Sequence, residues 1–205
     1  MDKPKKEPKS ASPRREQIVD KASTVFWKKG YTGASMRDIA KACKCKSANI
    51  YNFFHSKEEI LFEFLHKQNL IILEKIEHFE SDRTETPYEQ LREFIHLHIQ
   101  HVLSYQKTSR FLFDSGLERL SKSNRDKVIL QRDEYDRILA GIIQRGIDAG
   151  QFREIDAKMA ARYIASMITR TIIWYSPKGP LSMEDVAEFI FNFSVNGLKG
   201  RNLIP

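Results

Sequence analysis

Between Ser47 and Asn52 the chain sets Ser47, Asn49, Tyr51 and Asn52, all with hydrogen-bonding side chains, around Ile50. On a short helix these four share the solvent side, while Ile50 and Phe54 turn inward onto Ile39 and Ala40 of the preceding segment. Asparagine pairs in bidentate fashion with adenine, so such a helix suits the DNA major groove. Lys44 and Lys46 stand just before it and add cations for phosphate. Other groupings offer less chemistry. His98 and His101 share a helical face and His96 does not, and no carboxylate or thiol stands beside them to complete a metal site. They read as solvated or cavity-lining histidines. Cys43 and Cys45 have no second pair to make four zinc ligands, so they read as small core residues. No phosphate loop, metal-hydrolase spacing or nucleophile elbow occurs, so neither an enzyme nor a bound cofactor or metal is expected.

The charge lies where that helix lies. The 205 residues carry 34 Lys/Arg and 27 Asp/Glu. Residues 1–60 hold 14 basic and 7 acidic groups, a net of +7, and the remaining 20 of each sign cancel. A basic head on a neutral body points to nucleic acid or an anionic surface. No apolar run reaches the ~20 residues of a membrane span. The Lys- and Pro-rich residues 1–12 lack the apolar core of a signal peptide and read as a disordered basic arm. Two closely spaced cysteines fit a reducing, cytoplasmic setting.

Apolar periodicity near 3.6 runs almost end to end, and no alternating strand pattern appears. The spacing predicts an all-α chain of nine helices. The first runs from Pro13 to Gly30, followed by Met36–Ala42 and Ser47–Phe53. A fourth extends from the Ser56-x-x-Glu59 capping box to about Phe79. Helices from Thr86 to Tyr105, Ser109 to Leu120, Asn124 to Ala149 and Asp156 to Ser176 come next, and a last one begins after Ser182. Residues 13–55 read as the DNA-binding domain and 56–205 as a ligand-binding and dimerisation domain.

The run Tyr31 to Ala42, YTGASMRDIAKA, followed by Ala48 to Leu61, ANIYNFFHSKEEIL, resembles the TetR repressor family. The resemblance covers roughly Ile18 to Leu65. It implies a homodimer that reads a palindromic operator with two recognition helices. It also implies DNA contacts from Thr32, Ser35, Arg37, Tyr51 and Lys57. Where the family usually has Gly-Val-Ser in the turn, this chain has Lys44-Cys45-Lys46. Lysine adopts positive φ less readily than glycine, and without that serine the recognition helix has no N-cap unless Ser47 shifts into the role.

In the body, wide apolar stripes on the last two helices suggest a partner. The resemblance gives those helices the dimer interface, for which Ile164, Ile168, Ile172, Phe189, Ile190 and Phe193 are candidates. An effector pocket needs apolar walls and a few aimed polar groups. Phe111, Phe113, Leu117, Asp114, Arg132, Tyr135, Arg170 and Trp174 are candidates. Gly150 to Arg153 and Trp174 to Ala187 are similar to TetR-family repressors of fatty-acid and sterol-fragment degradation. That likeness implies an acyl-CoA effector, with Arg132, Arg162 and Arg170 near its phosphates and repression relieved on binding. The alternatives are a lipophilic or aromatic cation held by Asp114, or a non-specific architectural DNA binder that ignores small molecules.

Overall fold

The structure, a computed structural model, describes residues 12–104 and 116–199. Among them lie eight α-helices and no strand: α1 Pro13–Gly33, α2 Met36–Ala42, α3 Ser47–Tyr51, α4 Lys57–Ile76, α5 Pro87–Ser104, α6 Lys122–Asp148, α7 Ala157–Trp174 and α8 Met183–Lys199. The expected helix between Ser109 and Leu120 falls mostly outside the described residues. Its described end, Leu117–Arg119, is a single 3-10 turn. Helix α4 closes at Ile76 and tightens into a 3-10 turn over Glu77–Glu80.

Most boundaries follow from caps. Ser12, Ser35, Ser56, Ser121 and Asp156 each accept a bond from a backbone N–H in the first turn of the helix they precede, satisfying a donor that has no partner within the helix. Thr86 with Glu89 and Ser182 with Asp185 form reciprocal boxes before α5 and α8. The Ser56 box differs from its sequence pattern: Glu59 reaches past Ser56 to the His55 N–H at 2.8 Å. Gly30 does not end α1 outright. It kinks the chain at φ 72°, ψ 158°, open only to glycine, and one further turn runs to Gly33.

Two cores result. Phe26, Ile39, Ile50, Phe54 and Leu61 anchor the first, which joins α1–α3 to the first half of α4 and also takes in Leu120 and Val128. This core therefore does not stop at residue 55. The second joins the rest of α4 to α5–α8 around Phe79, Phe94, Ile142 and Phe191. The Gly150–Arg153 segment is a structural joint. Gly150, at φ 70°, closes α6. Phe152 packs so closely on Gly146 that a Cβ there would lie 2.1 Å from its ring. Arg153 caps α8 through the carbonyls of Leu198, at 2.8 Å, and Gly197, at 3.0 Å.

Candidate nucleic-acid interface and effector cavity

Helices α2 and α3 form a helix-turn-helix whose turn is a Schellman closure. The Lys44 N–H donates to Lys41 O at 3.1 Å and the Cys45 N–H to Ala40 O at 3.0 Å, the paired bonds of that motif. It requires a left-handed residue, and Lys44 supplies it at φ 52°. Cys43 is buried beside it, and burial pushes its thiol pKa up. Lys46 takes the N-cap position of α3 with no side-chain cap, so Ser47 is the first helical residue and does not replace the cap.

Ile50 and Phe54 are fully buried, as their spacing required. Asn49, Asn52 and Lys46 are exposed, Ser47 is half-buried, and Tyr51 is 49% exposed. Sequence reasoning missed the clamp that holds this face. Arg15 lies over the Phe54 ring at 4.1 Å, donates to Phe53 O at 2.6 Å and pairs with Glu63 at 3.1 Å. It thereby fixes the end of α3 against α4.

The remaining expected DNA contacts divide. Arg37 is exposed on α2. Ser35 is exposed too, but its hydroxyl is engaged in the box with Asp38. Asp38 also pairs with Lys29. Lys29 and Ser35 together hold the Asp38 carboxyl at about 2. Thr32 accepts from Arg119 at 3.1 Å. Lys57 corrects its expected role. Its ammonium donates to the carbonyls of Tyr31, Thr32 and Ala34 at 2.8, 3.3 and 3.0 Å and sits over the Tyr31 ring. An ammonium has three protons, so Lys57 closes the end of α1 and has no donor left for phosphate.

Where the two cores meet, α4–α7 line a pocket of about 470 Å³ that opens to solvent at Arg162 and Ser166. Phe64, Leu65, Ile72, Val102 and Ile172 line it with apolar surface, and Gln68, His98, Arg132, Tyr135 and Asp136 are among its polar walls. Tyr135 and His98, both buried, bond at 2.6 Å. Burial drives the His98 pKa down to about 3 and the Tyr135 pKa well up. His101 falls to about 4 for the same reason. Burial also lowers the Arg132 pKa and raises that of Asp136, against the opposing pull of Arg162. Asp136 and Arg162 also line a second groove of about 460 Å³, together with Lys158 and Arg137.

The structure brings Arg132 and Tyr135 to the cavity but not the other described candidates. Leu117 packs against the first core. Arg170 and Trp174 are exposed on α7 and do not line the cavity. Phe111, Phe113 and Asp114 lie outside the described residues. The cavity residues that went unread had a signal: Gln68 and Asn69, and Ser166 and Thr169, interrupt apolar helices with polar pairs. Ile164, Ile168, Ile172 and Ile190 also need correcting, because each is buried in the protomer's own core and presents nothing to a partner. Phe189 and Phe193 do face outward, 71% and 61% exposed, with rings stacked at 6.4 Å. Met159 and Tyr163 are exposed on α7. His96 sits apart from the other two histidines, against Glu184 and Glu188 of α8. The described residues contain no group of three or more potential metal ligands. None of the described helices is long and apolar enough to cross a membrane.

A helix-turn-helix head joined through one long helix to a helical body with an apolar-walled pocket defines a ligand-responsive transcriptional regulator. Residues 18–64 match the bacterial regulatory proteins of the tetR family, and residues 84–198 match the tetracyclin repressor-like C-terminal domain. The chain belongs to the TetR family, whose regulators act as homodimers on operator DNA. A solved relative, the TetR family transcriptional regulator PfmR from Thermus thermophilus, is 33% identical. That match covers 89% of this chain and 98% of PfmR, with a TM-score of 0.79. The transcriptional repressor KstR2 of Mycolicibacterium smegmatis is 25% identical over 193 residues, 93% of each chain. FadR of Bacillus subtilis, solved in complex with stearoyl-CoA, shares the fold at 24% identity and a TM-score of 0.72, over 89% of this chain and 98% of FadR.

Proposed function

We propose that this repressor reads its operator through Asn49, Tyr51 and Asn52 and is released from it by an acyl-CoA thioester. The observation that carries the reading is the cavity wall. Phe64 and Leu65 belong both to the core of the reading head and to the cavity lining, so whatever fills the cavity presses on the helix that supports α3. A volume of about 470 Å³ lies in the range of small-molecule sites. The acyl group would occupy it. The CoA phosphates would lie toward Arg162 and Lys158 in the adjoining groove, where guanidinium groups bind phosphate well. The complex of FadR with stearoyl-CoA supports the same ligand class. A cationic effector fits less well, because the cavity's carboxylate, Asp136, already lies in the field of Arg132 and Arg162.

Phe189 and Phe193, with Met159 and Tyr163, form the dimer face in this reading, and the protein works in the cytoplasm. The test is fluorescence anisotropy on the DNA upstream of the protein's own gene, during titration with acyl-CoA thioesters. Release at micromolar thioester, with free CoA inert, is the expected result. Operator binding that no thioester disturbs would reject the ligand assignment.

A further inference from the structure

The cavity wall is rich in hydrogen-bond acceptors whose own protons are already committed. The Ser166 hydroxyl donates to Arg162 O at 2.7 Å and that of Thr169 to Ser166 O at 3.2 Å. Both residues line the cavity, and each retains only acceptor capacity. With the neutral His98 ring assigned its proton on Nε2, the Tyr135 hydroxyl donates to Nδ1, and its oxygen is again an acceptor. Gln68 goes further. Its Oε1 is buried with no hydrogen-bond partner at all, an arrangement that is costly unless a ligand removes it. Gln131, also on the wall, donates one of its two amide protons to His66 O at 3.3 Å and keeps the other. A plain hydrocarbon chain would leave the buried Gln68 oxygen unpaired. A keto group could accept from donors on the same wall, such as the Gln68 amide, the Arg132 guanidinium or the His98 Nε2–H, but it brings the wall's oxygens no proton, whereas a hydroxyl both donates and accepts.

We infer that the effector's acyl chain carries a hydroxyl group, which donates into this acceptor wall, with Gln68 and Thr169 as specificity-determining residues. This rests on the thioester reading above and narrows it. A turn of the Gln68 amide brings Oε1 to the ligand proton, and the hydroxyl's own lone pairs then face the remaining donors.

The experiment compares octanoyl-CoA, 3-oxooctanoyl-CoA, 3-hydroxyoctanoyl-CoA and 8-hydroxyoctanoyl-CoA in the operator-release assay. At least one hydroxylated chain should release DNA at roughly tenfold lower concentration than octanoyl-CoA, the ratio one additional buried hydrogen bond supplies. Gln68→Leu and the isosteric Thr169→Val should each shrink that ratio while leaving operator affinity without thioester unchanged. Octanoyl-CoA or the keto chain acting as well as either hydroxylated chain would overturn the inference and leave the thioester reading standing. So would a ratio unchanged in both variants. Failure of all four probes to release the DNA would overturn both.

Discussion

Replacing Lys44 by glycine separates the folding role of the turn from its electrostatic role. The Schellman closure holds Lys44 at φ 52°. A side chain in the left-handed region costs about 1–2 kcal/mol relative to right-handed helix. Glycine removes that strain, but it gives back roughly 0.4–1 kcal/mol through greater freedom of the unfolded chain. The net expectation for Lys44→Gly is a gain of about 0.5–1 kcal/mol. For a chain of this length that is a rise in Tm of roughly 1–4 °C. The same substitution removes a cation beside the recognition helix. If Lys44 neutralises a phosphate, the slope of log affinity against log salt should fall by about 0.9 per protomer. Thermal melting by circular dichroism reads the first effect and operator anisotropy at several salt concentrations the second. A variant that melts lower than the parent would refute the strain argument, because no side-chain contact of Lys44 enters it.

Gly146→Ala should destabilise the chain by about 1–3 kcal/mol, because its Cβ would overlap the buried Phe152 ring; calorimetry checks it. Lys57→Met should lower Tm by leaving the carbonyls of Tyr31, Thr32 and Ala34 at the end of α1 without their donor, at about 1–3 kcal/mol. The salt slope of operator binding should stay as it was, and a slope reduced by about 0.9 would restore the phosphate contact. Burial depresses His98 from 6.5 to about 3, so the unfolded chain binds its proton first. Stability should therefore decline as pH falls from about 6.5 toward 3, as linkage requires. His98→Gln should flatten that decline in chemical melts taken across the window.

The helices were legible because their ends are written locally. Ser12-Pro13, Ser35 with Asp38, and Thr86 with Glu89 announce caps within four residues, and no distant contact is needed to read them. The recognition face was legible for a related reason: Ile50 and Phe54 had to go inward, which left Asn49, Tyr51 and Asn52 outside. Roles set by tertiary contact were not legible. Lys57 sits where a helix start favours an anion, and only the fold reveals that the end of α1 arrives there first. On α7 the apolar residues cover two faces. Sequence distinguishes apolar from polar, but not the face packed in the protomer, Ile164 to Ile172, from the outward one at Met159 and Tyr163. The cavity was the least legible part, because four helices contribute to it and no local pattern joins Gln68 to Thr169.

Those shared walls also limit how an effector can act. A ligand shifts an equilibrium only by the difference in its affinity for the two states, so it must touch something that moves with the reading head. Phe64 and Leu65 meet that condition, because they pack in both places. A second connection runs from the N-terminal end of α6. Glu58 on α4 accepts from the Ser121 N–H and from Asn124, each at 3.0 Å, and Arg119 reaches Thr32 at the end of α1. The first turn of α4 is therefore tied to α6 at its start, and the cavity lies along the same two helices further on. Close-packed interiors transmit displacement because they have little free volume to absorb it. Separation of α4 from α6 at the cavity must then either tilt α4 about the Glu58 bonds or break them. Both outcomes change where α3 points, since Arg15 holds the end of α3 to Glu63 on the same helix.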